Sequence, residues 1–414
     1  MQHEQLSPIQ RQLHDAVDAA FESQQVPWLQ RLVEQSSHTA ARDDVERAAG
    51  LVEAMAVDIG LSCTGYRDPN GVYADHRIYA SPATGPDDRA VALVGHCDTV
   101  HSTSSDFAGF HRDAVDAASR NDRARGPGVL DMKSGLSVVL FAIRAIQRTA
   151  PKAFASLKLR FVCNTDEEAG SPSSQALFAD LAPRTSEALV FEGGREGDRI
   201  ITARKGTAGY RLTVVGREAH AGNDHAAGIN AIHLLARLIP SIEALTDYAQ
   251  GATANVGTIR GGTAKNTVPG QAQCTIDVRT TTRGAARDVD AALRQLAGDP
   301  LASVADLPPR LAEAEVQIEG GIRRPPMESS SASEQLRERY EVHARLANLG
   351  TGRAPLQGGG SDANLLAAAA VPVIDGLGPY GKGMHTADEW ISLESLRRRT
   401  QALATFLAGL AALP

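Results

Sequence analysis

Apolar and polar positions follow two rhythms along the first two hundred residues. Apolar residues recur with helical spacing in DVERAAGLVEAMAVDIG and GLSVVLFAIRAIQR, whereas RAVALVGH, LKLRFVCNTD and EALVFEGG contain the short apolar runs of buried strands. Strands that alternate with helices are typical of a sheet with mainly parallel strands that is covered by helices. The pattern therefore predicts an α/β layer in this part of the chain.

The rhythm changes near residue 206. The segments YRLTVVGREAH, ATANVGTIRGGTA and AQCTIDVRTT look like strands, and INAIHLLARLIPSIEAL and AARDVDAALRQLA look like helices between them. After the turn-rich stretch near EGGIRRPP, two helices and the strand VPVIDGL resume the first rhythm. We therefore predict an α/β domain formed by residues 1–205 and 321–414, with an α+β domain inserted at 206–320.

Composition and charge narrow the class of protein. The 414 residues include 42 Lys plus Arg and 49 Asp plus Glu, with no basic stretch that could neutralise a row of phosphates. The polar N-terminus does not resemble a signal peptide, and no apolar run reaches the roughly 18 residues of a membrane span. We expect no nucleic-acid or membrane partner.

The four cysteines are Cys63, Cys97, Cys163 and Cys274, and none of them forms a CxxC pair. This spacing argues against both a disulfide framework and a thiolate zinc site. We expect reduced cysteines in a cytoplasmic protein.

Acidic residues and histidines stand where several predicted strands end. They are His96 and Asp98 in VALVGHCDTV, Asp131 in GPGVLDMKSG, Asp166, Glu167 and Glu168 in RFVCNTDEEAG, Glu192 in ALVFEGG, and His385 in YGKGMHTADEW. One histidine at a strand end is more often structural than a ligand. In parallel sheets, however, ligands gather at the carboxyl ends of strands, so several such residues favour a site.

Carboxylates and imidazoles that converge without a cation repel one another or shift their protonation strongly. Nitrogen and oxygen ligands without clustered thiolates suit zinc, cobalt or manganese. The number of candidate ligands allows two ions that share one bridging carboxylate. We therefore predict a divalent metal centre, with zinc, cobalt or manganese as candidates.

The motifs GHCDTV, GPGVLDMKSG, NTDEEAGS, REAHAG, GGGSDA and MHTADEW occur in this order. In this the chain resembles the two-zinc metallo-exopeptidase family that includes acetylornithine deacetylase, succinyl-diaminopimelate desuccinylase, aminoacylase and bacterial glutamate carboxypeptidase. Thr99 and Val100, together with NTDEEAGS, favour the glutamate carboxypeptidase branch. The resemblance implies a catalytic domain with a mixed, largely parallel sheet flanked by helices. It also implies an inserted α+β lid and dimerisation domain, and hence a homodimer.

The resemblance also implies a role for each residue of the cluster. Asp131 would bridge the two metals, with His96 and Glu192 at one metal and Glu168 and His385 at the other. Asp98 would fix the tautomer of His96 from behind. Glu167 would be the general base, which takes a proton from the attacking water and later delivers it to the leaving amine. Asp166 is interpreted as structural.

Further candidates would face the substrate. By resemblance, His220 stabilises the oxyanion, often across the dimer interface, while Asn266 and Arg279 hold a substrate carboxylate. A plain surface ion pair remains the alternative for Arg279. In QGGGSDA, Gly360 and Ser361 would offer backbone N–H groups to the substrate. Five further histidines, in polar surroundings outside these motifs, are expected on the surface: His38, His101, His111, His225 and His343.

The sequence thus predicts a zinc-dependent metallopeptidase that cleaves an amide bond next to a free carboxylate. It would release a C-terminal amino acid, with glutamate favoured, from a small N-acyl or peptidyl substrate. An N-acyl-amino-acid deacylase is the alternative, because it shares the chemistry. A non-catalytic metal-binding scaffold is a further alternative, against which the presence of Glu167 speaks. A two-metal phosphatase ranks low, because the chain offers one clear arginine for a phosphate.

Overall fold

The protein is described by a computed structural model, which covers residues 6–102, 107, 109–113, 122–304 and 307–411. The α-helices are α1 Pro8–Ala20, α2 Val26–Glu34, α3 Arg42–Ile59, α4 Ser134–Thr149, α5 Pro151–Ser156, α6 Ser174–Leu181, α7 Ala231–Glu243, α8 Arg283–Gly298, α9 Pro300–Ser303, α10 Ser331–Leu346, α11 Asp362–Ala368 and α12 Leu393–Ala411. The strands are β1 Ser62–Tyr66, β2 His76–Ala80, β3 Ala90–His96, β4 His111–Arg112, β5 Arg123–Arg125, β6 Leu159–Asn164, β7 Thr185–Val190, β8 Gly206–Val215, β9 Ala219–His220, β10 Ala252–Gly261, β11 Thr267–Val268, β12 Gln271–Thr280, β13 Glu315–Arg324, β14 Val373–Ile374, β15 Gly381–Lys382 and β16 Trp390–Ser392.

The described residues fall into two compact units. Unit 1 takes in Met1–Thr202, Ser329–Leu356 and Ser361–Pro414, and unit 2 takes in Ala203–Glu328 and Gln357–Gly360. The boundaries and the roles of the two domains, as assigned from the sequence, stay predictions.

The core of unit 1 is a six-stranded sheet with the order β1-β2-β6-β3-β7-β14. The strands β6, β3, β7 and β14 run parallel, and β1 and β2 add an antiparallel edge. All seven residues of β3 are buried, as expected for a central strand covered on both faces. Helix α4 lies against β3, and α1, α3 and α12 pack against α4. The predicted α/β class, with a largely parallel sheet flanked by helices, is confirmed.

Unit 2 is built on an antiparallel sheet with the order β10-β12-β8-β13. Buried and more exposed residues alternate along β8 and β12, because one face of the sheet is covered and the other faces solvent. Helices α7 and α8 pack against this sheet. The strands β9 and β11 form a separate short ladder.

Two features of the fold do not follow from the apolar pattern. Strand β13 contains the EGGIRR segment, for which the pattern predicted a turn, and its mainly exposed residues explain why no strand signal stood out. The N-terminal helices α1 and α2, which bury one apolar stripe, were also not predicted. Among the helices of the described chain, none combines the length and the hydropathy that a membrane crossing requires.

Candidate metal centre

The residues predicted as metal ligands meet in unit 1. The Asp131 carboxylate lies between two histidines, with its Oδ1 3.2 Å from His96 Nε2 and its Oδ2 3.1 Å from His385 Nε2. Glu168 Oε2 lies 3.3 Å from His385 Nε2, and Glu192 Oε1 lies 3.7 Å from His96 Nε2. The other four side chains thus form two pairs, one on each side of Asp131.

The sheet topology brings three of these side chains together. Strand β3 lies between β6 and β7 and runs parallel to both. Their carboxyl ends therefore share one edge of the sheet. His96 is the last residue of β3, while Glu168 and Glu192 follow β6 and β7 closely.

Loops carry the other two side chains to the same edge. Asp131 lies in the turn Val129–Lys133, which leads into α4, and its peptide bond to Met132 is cis. His385 follows β15 and has a φ of +63°, in the left-handed region that non-glycine residues seldom adopt. Such strained positions cluster at functional sites. The side chain of His385 is 54% exposed, so the cluster opens to solvent on that side.

Asp98 contacts the ring nitrogen of His96 that faces away from Asp131. The Nδ1 atom of His96 lies 3.0 Å from the Asp98 main-chain oxygen and 3.3 Å from Asp98 Oδ1. A proton on Nδ1 satisfies these acceptors and leaves Nε2 as the free lone pair toward Asp131. This is the tautomer that a metal ligand requires.

The Asp98 carboxylate also fixes the turn that carries the two glutamates. Its Oδ1 accepts the amide of Glu167 at 3.2 Å, and its Oδ2 accepts the amide of Glu168 at 3.1 Å. The hydroxyl of Thr39 donates to Oδ2 at 2.8 Å. Neither these amide contacts nor Thr39 was predicted, because main-chain contacts leave no mark on residue type.

The side chains of the cluster shift one another's pKa values. Burial raises the pKa of Asp131, but hydrogen bonds from His385 and His96 outweigh it and hold that pKa well below its usual value. Hydrogen bonds to Asp131 and Glu168 raise the pKa of His385 to about 10. Burial, and then the charge of Asp131, raise the pKa of Glu192 well above its usual value. Divalent cations compete with protons for ligands of this kind.

The donor set fits divalent metal ions. It consists of two imidazole nitrogens and three carboxylates, which are zinc, cobalt or manganese ligands. One atom each of His96, Asp131 and Glu168 lies within 4.8 Å of the others, a spacing that could hold a metal ion. The Oε1 atom of Glu168 is buried and has no hydrogen-bond partner among the described residues, so a ligand would satisfy it.

Not every histidine outside the predicted cluster lies on the surface. The expectation is wrong for His101, whose side chain is 10% exposed and whose Nε2 lies 2.8 Å from Glu389 Oε2. His343 is also half-buried, with Nδ1 3.1 Å from the hydroxyl of Thr405. His101 follows the GHCDTV motif directly, which is the only sequence signal that could have marked it.

The predicted substrate residues of unit 2 are exposed or partly exposed. His220 is exposed at the end of β9, and its Nδ1 accepts the amides of Gly222 and Asn223. Asn266 is exposed next to β11, and its main-chain oxygen accepts the amide of Ala221 at 2.9 Å. The ladder of β9 and β11 therefore brings His220 and Asn266 close together within unit 2.

Arg279 and the glycine-rich loop have structural partners. The Arg279 guanidinium makes two hydrogen bonds to Asp277 on the same strand, so a substrate carboxylate would have to displace Asp277. Ser361 is 1% exposed, caps α11, and donates its hydroxyl to Asp375 at 2.7 Å. A Cβ at Gly358 or Gly359 would meet nothing within 4 Å, so packing within the chain does not require glycine there.

The fold and the cluster define the class of metal-dependent hydrolases. Residues 202–304 match the family described as peptidase dimerisation domain, and residues 78–236 match peptidase family M28. Carboxypeptidase G2 from Pseudomonas sp. (strain RS-16) is 26% identical over 94% of this chain and 89% of its own length. Succinyl-diaminopimelate desuccinylase from Methylobacterium radiotolerans is 27% identical over 81% of this chain and 83% of its own.

Solved structures share the fold. Aminopeptidase PepT from Bacillus cereus superposes with a TM-score of 0.73 at 21% identity, over 94% of this chain and 98% of its own. The YXEP protein of Bacillus subtilis, titled a dinuclear metal binding peptidase from the M20 family, has a TM-score of 0.67 at 16% identity, over 95% of this chain and 99% of its own.

The family models, the relatives and the fold together support the M20 peptidase family for this chain. It is a metallopeptidase or deacylase that cleaves amide bonds, of a family that uses a dinuclear metal centre. The family predicted from the motifs is confirmed.

Proposed function

We propose that this protein is a two-metal carboxypeptidase that cleaves an amide bond next to a free carboxylate and releases a C-terminal amino acid, with glutamate as the first candidate. The observation that carries the proposal is the position of Asp131, whose two oxygens face His96 and His385 at 3.2 and 3.1 Å. A carboxylate placed in this way can bridge two ions.

His96, Glu192 and Asp131 would hold one ion, and His385, Glu168 and Asp131 the other. Two such ions, with zinc as the first candidate, would lower the pKa of a water molecule and polarise the scissile carbonyl. The opening of the cluster beside His385 is compatible with substrate access from that side.

Glu167 is the proposed general base. It is 7% exposed, and its amide is fixed by Asp98, which also fixes the amide of Glu168. Its charge is among the causes that raise the pKa of Glu192, after burial and the charge of Asp131. Glu167 takes a proton from water as the water oxygen bonds to the carbonyl carbon. It then returns the proton to the amide nitrogen as the C–N bond breaks.

Substrate recognition is assigned to Asn266, Arg279 and the backbone at Gly360 and Ser361, and His220 is assigned to the developing oxyanion. A guanidinium can hold a carboxylate through two hydrogen bonds, as Arg279 does with Asp277. The exposed His220 has its Nδ1 occupied as an acceptor, which leaves Nε2 as a donor.

A homodimer through unit 2 is part of the proposal. The match of residues 202–304 to a peptidase dimerisation domain supports it. Among the described strands, β10 lies at the edge of its sheet beside β12, and most of Val256–Gly261 is exposed. The four cysteines are free in the structure, in keeping with the predicted cytoplasmic location.

A deacylase remains the alternative, since acetylornithine deacetylase from Klebsiella pneumoniae is also 26% identical, although over 58% of this chain and 62% of its own. The decisive test compares two substrate sets on zinc-, cobalt- and manganese-loaded protein. One set holds pteroyl-, benzoyl- and dipeptidyl-glutamate, and the other holds N-acetylornithine, N-succinyl-diaminopimelate and N-acetyl amino acids.

The carboxypeptidase proposal expects turnover in the first set and a large loss when the terminal glutamate is supplied as its α-amide. Turnover confined to the second set would refute the carboxypeptidase proposal and support the deacylase alternative. Tight binding of two ions without hydrolysis of either set would favour the non-catalytic scaffold.

A further inference from the structure

The Glu389 side chain is fully buried four residues after His385, and its carboxylate contacts the loops that carry the cluster. Its Oε1 accepts the amides of Leu130 at 2.7 Å and Asp131 at 2.9 Å. Its Oε2 accepts the amide of Gly128 at 3.0 Å and lies 2.8 Å from His101 Nε2. Four donors thus converge on one carboxylate.

We infer that Glu389 is a positioning residue that sets the orientation of the Asp131 carboxylate between His96 and His385. The inference rests on the proposed metal centre and adds a residue that none of the assigned ligand or base roles includes. Glu389 acts through other residues, because its four contacts are to main-chain amides and to His101.

The first contact is with the turn that presents Asp131. Gly128 has a φ of +72°, and the turn Val129–Lys133 then leads into α4. The backbone of this turn is not helical at Asp131 and Met132, so its amides need partners from elsewhere. The Glu389 carboxylate accepts the amides of Gly128, Leu130 and Asp131 from a distant part of the chain. The peptide plane that carries the Asp131 side chain is thereby fixed.

Glu389 also lies in the segment that carries His385, and main-chain hydrogen bonds hold this segment together. The amide of Thr386 donates to Gly383 at 3.0 Å, and the amide of Glu389 donates to Thr386 at 3.3 Å. His385 and Glu389 therefore belong to one compact turn. The Glu389 side chain holds the turn that carries Asp131, and its own segment carries His385. One side chain therefore links Asp131 to one of the two histidines that flank it.

The second contact is with the segment that follows β3. His101 lies five residues after His96 in the GHCDTVH stretch, and its Nε2 donates to Glu389. Glu389 thus joins three motifs that are far apart in the sequence. A metal site tolerates ligand displacements of only about 0.5 Å, so such an anchor affects metal binding directly.

The test uses Glu389→Gln in the full chain, because glutamine keeps the shape and one acceptor oxygen. Its NH₂ group would oppose either the amide of Gly128 and His101, or the amides of Leu130 and Asp131. The matched control is Asp68→Asn. Asp68 is 2% exposed and accepts the amides of Asn70, Val72 and Tyr73, at 3.2, 2.6 and 2.9 Å. Both substitutions weaken a buried carboxylate that holds a main-chain turn.

Zinc affinity is measured by chelator competition, the coordination geometry by the visible spectrum of the cobalt-loaded protein, and folding by the thermal midpoint. Glu389→Gln is expected to weaken binding of at least one ion by about 10- to 100-fold and to change the cobalt spectrum. Asp68→Asn is expected to lower the thermal midpoint while zinc affinity and the spectrum stay as in the wild type.

The inference is overturned if folded Glu389→Gln keeps wild-type zinc affinity and spectrum, or if Asp68→Asn lowers the affinity equally. Should the wild-type protein itself bind fewer than two ions, the proposed metal centre fails instead. The two failures are therefore distinguishable. Because Gln preserves side-chain volume, the test does not depend on the fate of a more drastic Glu389→Ala variant.

Discussion

His385 Nε2 lies 3.1 Å from Asp131 Oδ2, although 254 residues separate the two in the sequence. His96 Nε2 reaches the other oxygen of the same carboxylate at 3.2 Å. The two sides of Asp131 are therefore supplied by distant segments of unit 1. A single substitution can remove either His96 or His385, so the proposed roles can be separated by experiment.

The first prediction separates the base from the ligands. Glu167→Gln should retain two ions and lose turnover by about 10²–10⁴-fold, because it removes proton transfer without removing a ligand. His385→Ala should lose one of the two ions. The measurements are the metal content of the dialysed proteins and kcat on whichever substrate of the two sets the wild-type protein hydrolyses. Equal metal loss in both variants would refute the division of roles.

The second prediction concerns metal removal. Chelation should abolish hydrolysis, and zinc should restore it. Because bound ions stabilise the folded state, the zinc-free protein should unfold at a lower temperature. The free energy of unfolding should fall by about 2.7 kcal/mol for each site, relative to zinc at 100 times the Kd of that site. Calorimetric scans with and without zinc measure this difference. Unchanged turnover in protein shown to be metal-free contradicts the proposed centre.

The third prediction concerns Asp98. Asp98→Asn should weaken zinc binding by about 10- to 100-fold, because it removes charge beside His96 Nδ1 and sets an amide against Glu167 or Glu168. Thr39→Val is the graded comparison, since it removes one hydroxyl that donates to Asp98 Oδ2 at 2.8 Å and leaves the carboxylate. Its effect should be smaller than tenfold. An equal or larger loss of zinc affinity in Thr39→Val would contradict the role assigned to the Asp98 carboxylate.

The fourth prediction concerns pH and stability. Burial, and then the charge of Arg339, lower the pKa of His343 to about 4 from the usual 6.5. The unfolded chain therefore binds the proton more readily, so the contribution is fully present above pH 6.5 and is lost as the pH falls toward 4. The total is at most about 3 kcal/mol. His343→Gln should flatten the dependence of the unfolding free energy on pH between these values, which denaturant titrations across this range measure.

The fifth prediction concerns the turn before Asp131. Gly128 has a φ of +72°, and a Cβ there would lie 2.4 Å from Thr99 Cγ2. Gly71 has nearly the same φ, +67°, and a Cβ there would meet nothing within 4 Å. Both Ala variants bear the left-handed backbone cost of about 1–2 kcal/mol, but only Gly128→Ala adds a clash next to Asp98. It should be less stable than Gly71→Ala in denaturant titrations and should also bind zinc more weakly.

The amino-acid pattern was sufficient to predict the strands that position the cluster. The runs that became β3, β6 and β7 are short and apolar, and in a parallel sheet their carboxyl ends must lie at one edge. The clustering of His96, Glu168 and Glu192 follows from that rule alone. Asp131 and His385 lie in loops, and their assignment depended on resemblance to a family.

The supporting contacts could not be predicted in the same way. Glu389 and Asp98 act largely on main-chain amides, which every residue type except proline supplies, so the sequence does not identify the partner. Arg279 shows the opposite difficulty. Its residue type suits a substrate carboxylate, yet in the structure it pairs with Asp277, two residues away on the same strand.

Unit 1 is assembled from both ends of the chain, and this has a consequence during translation. Roughly 190 residues lie between Glu192 and His385, and ribosomes add about 5–20 residues per second. For about ten to forty seconds a nascent chain therefore carries His96 and the three carboxylates of the centre without His385 or its buried anchor Glu389. A product truncated in this interval keeps the three side chains proposed for one ion but only two of the three proposed for the other, so loading with both ions would report that synthesis passed His385.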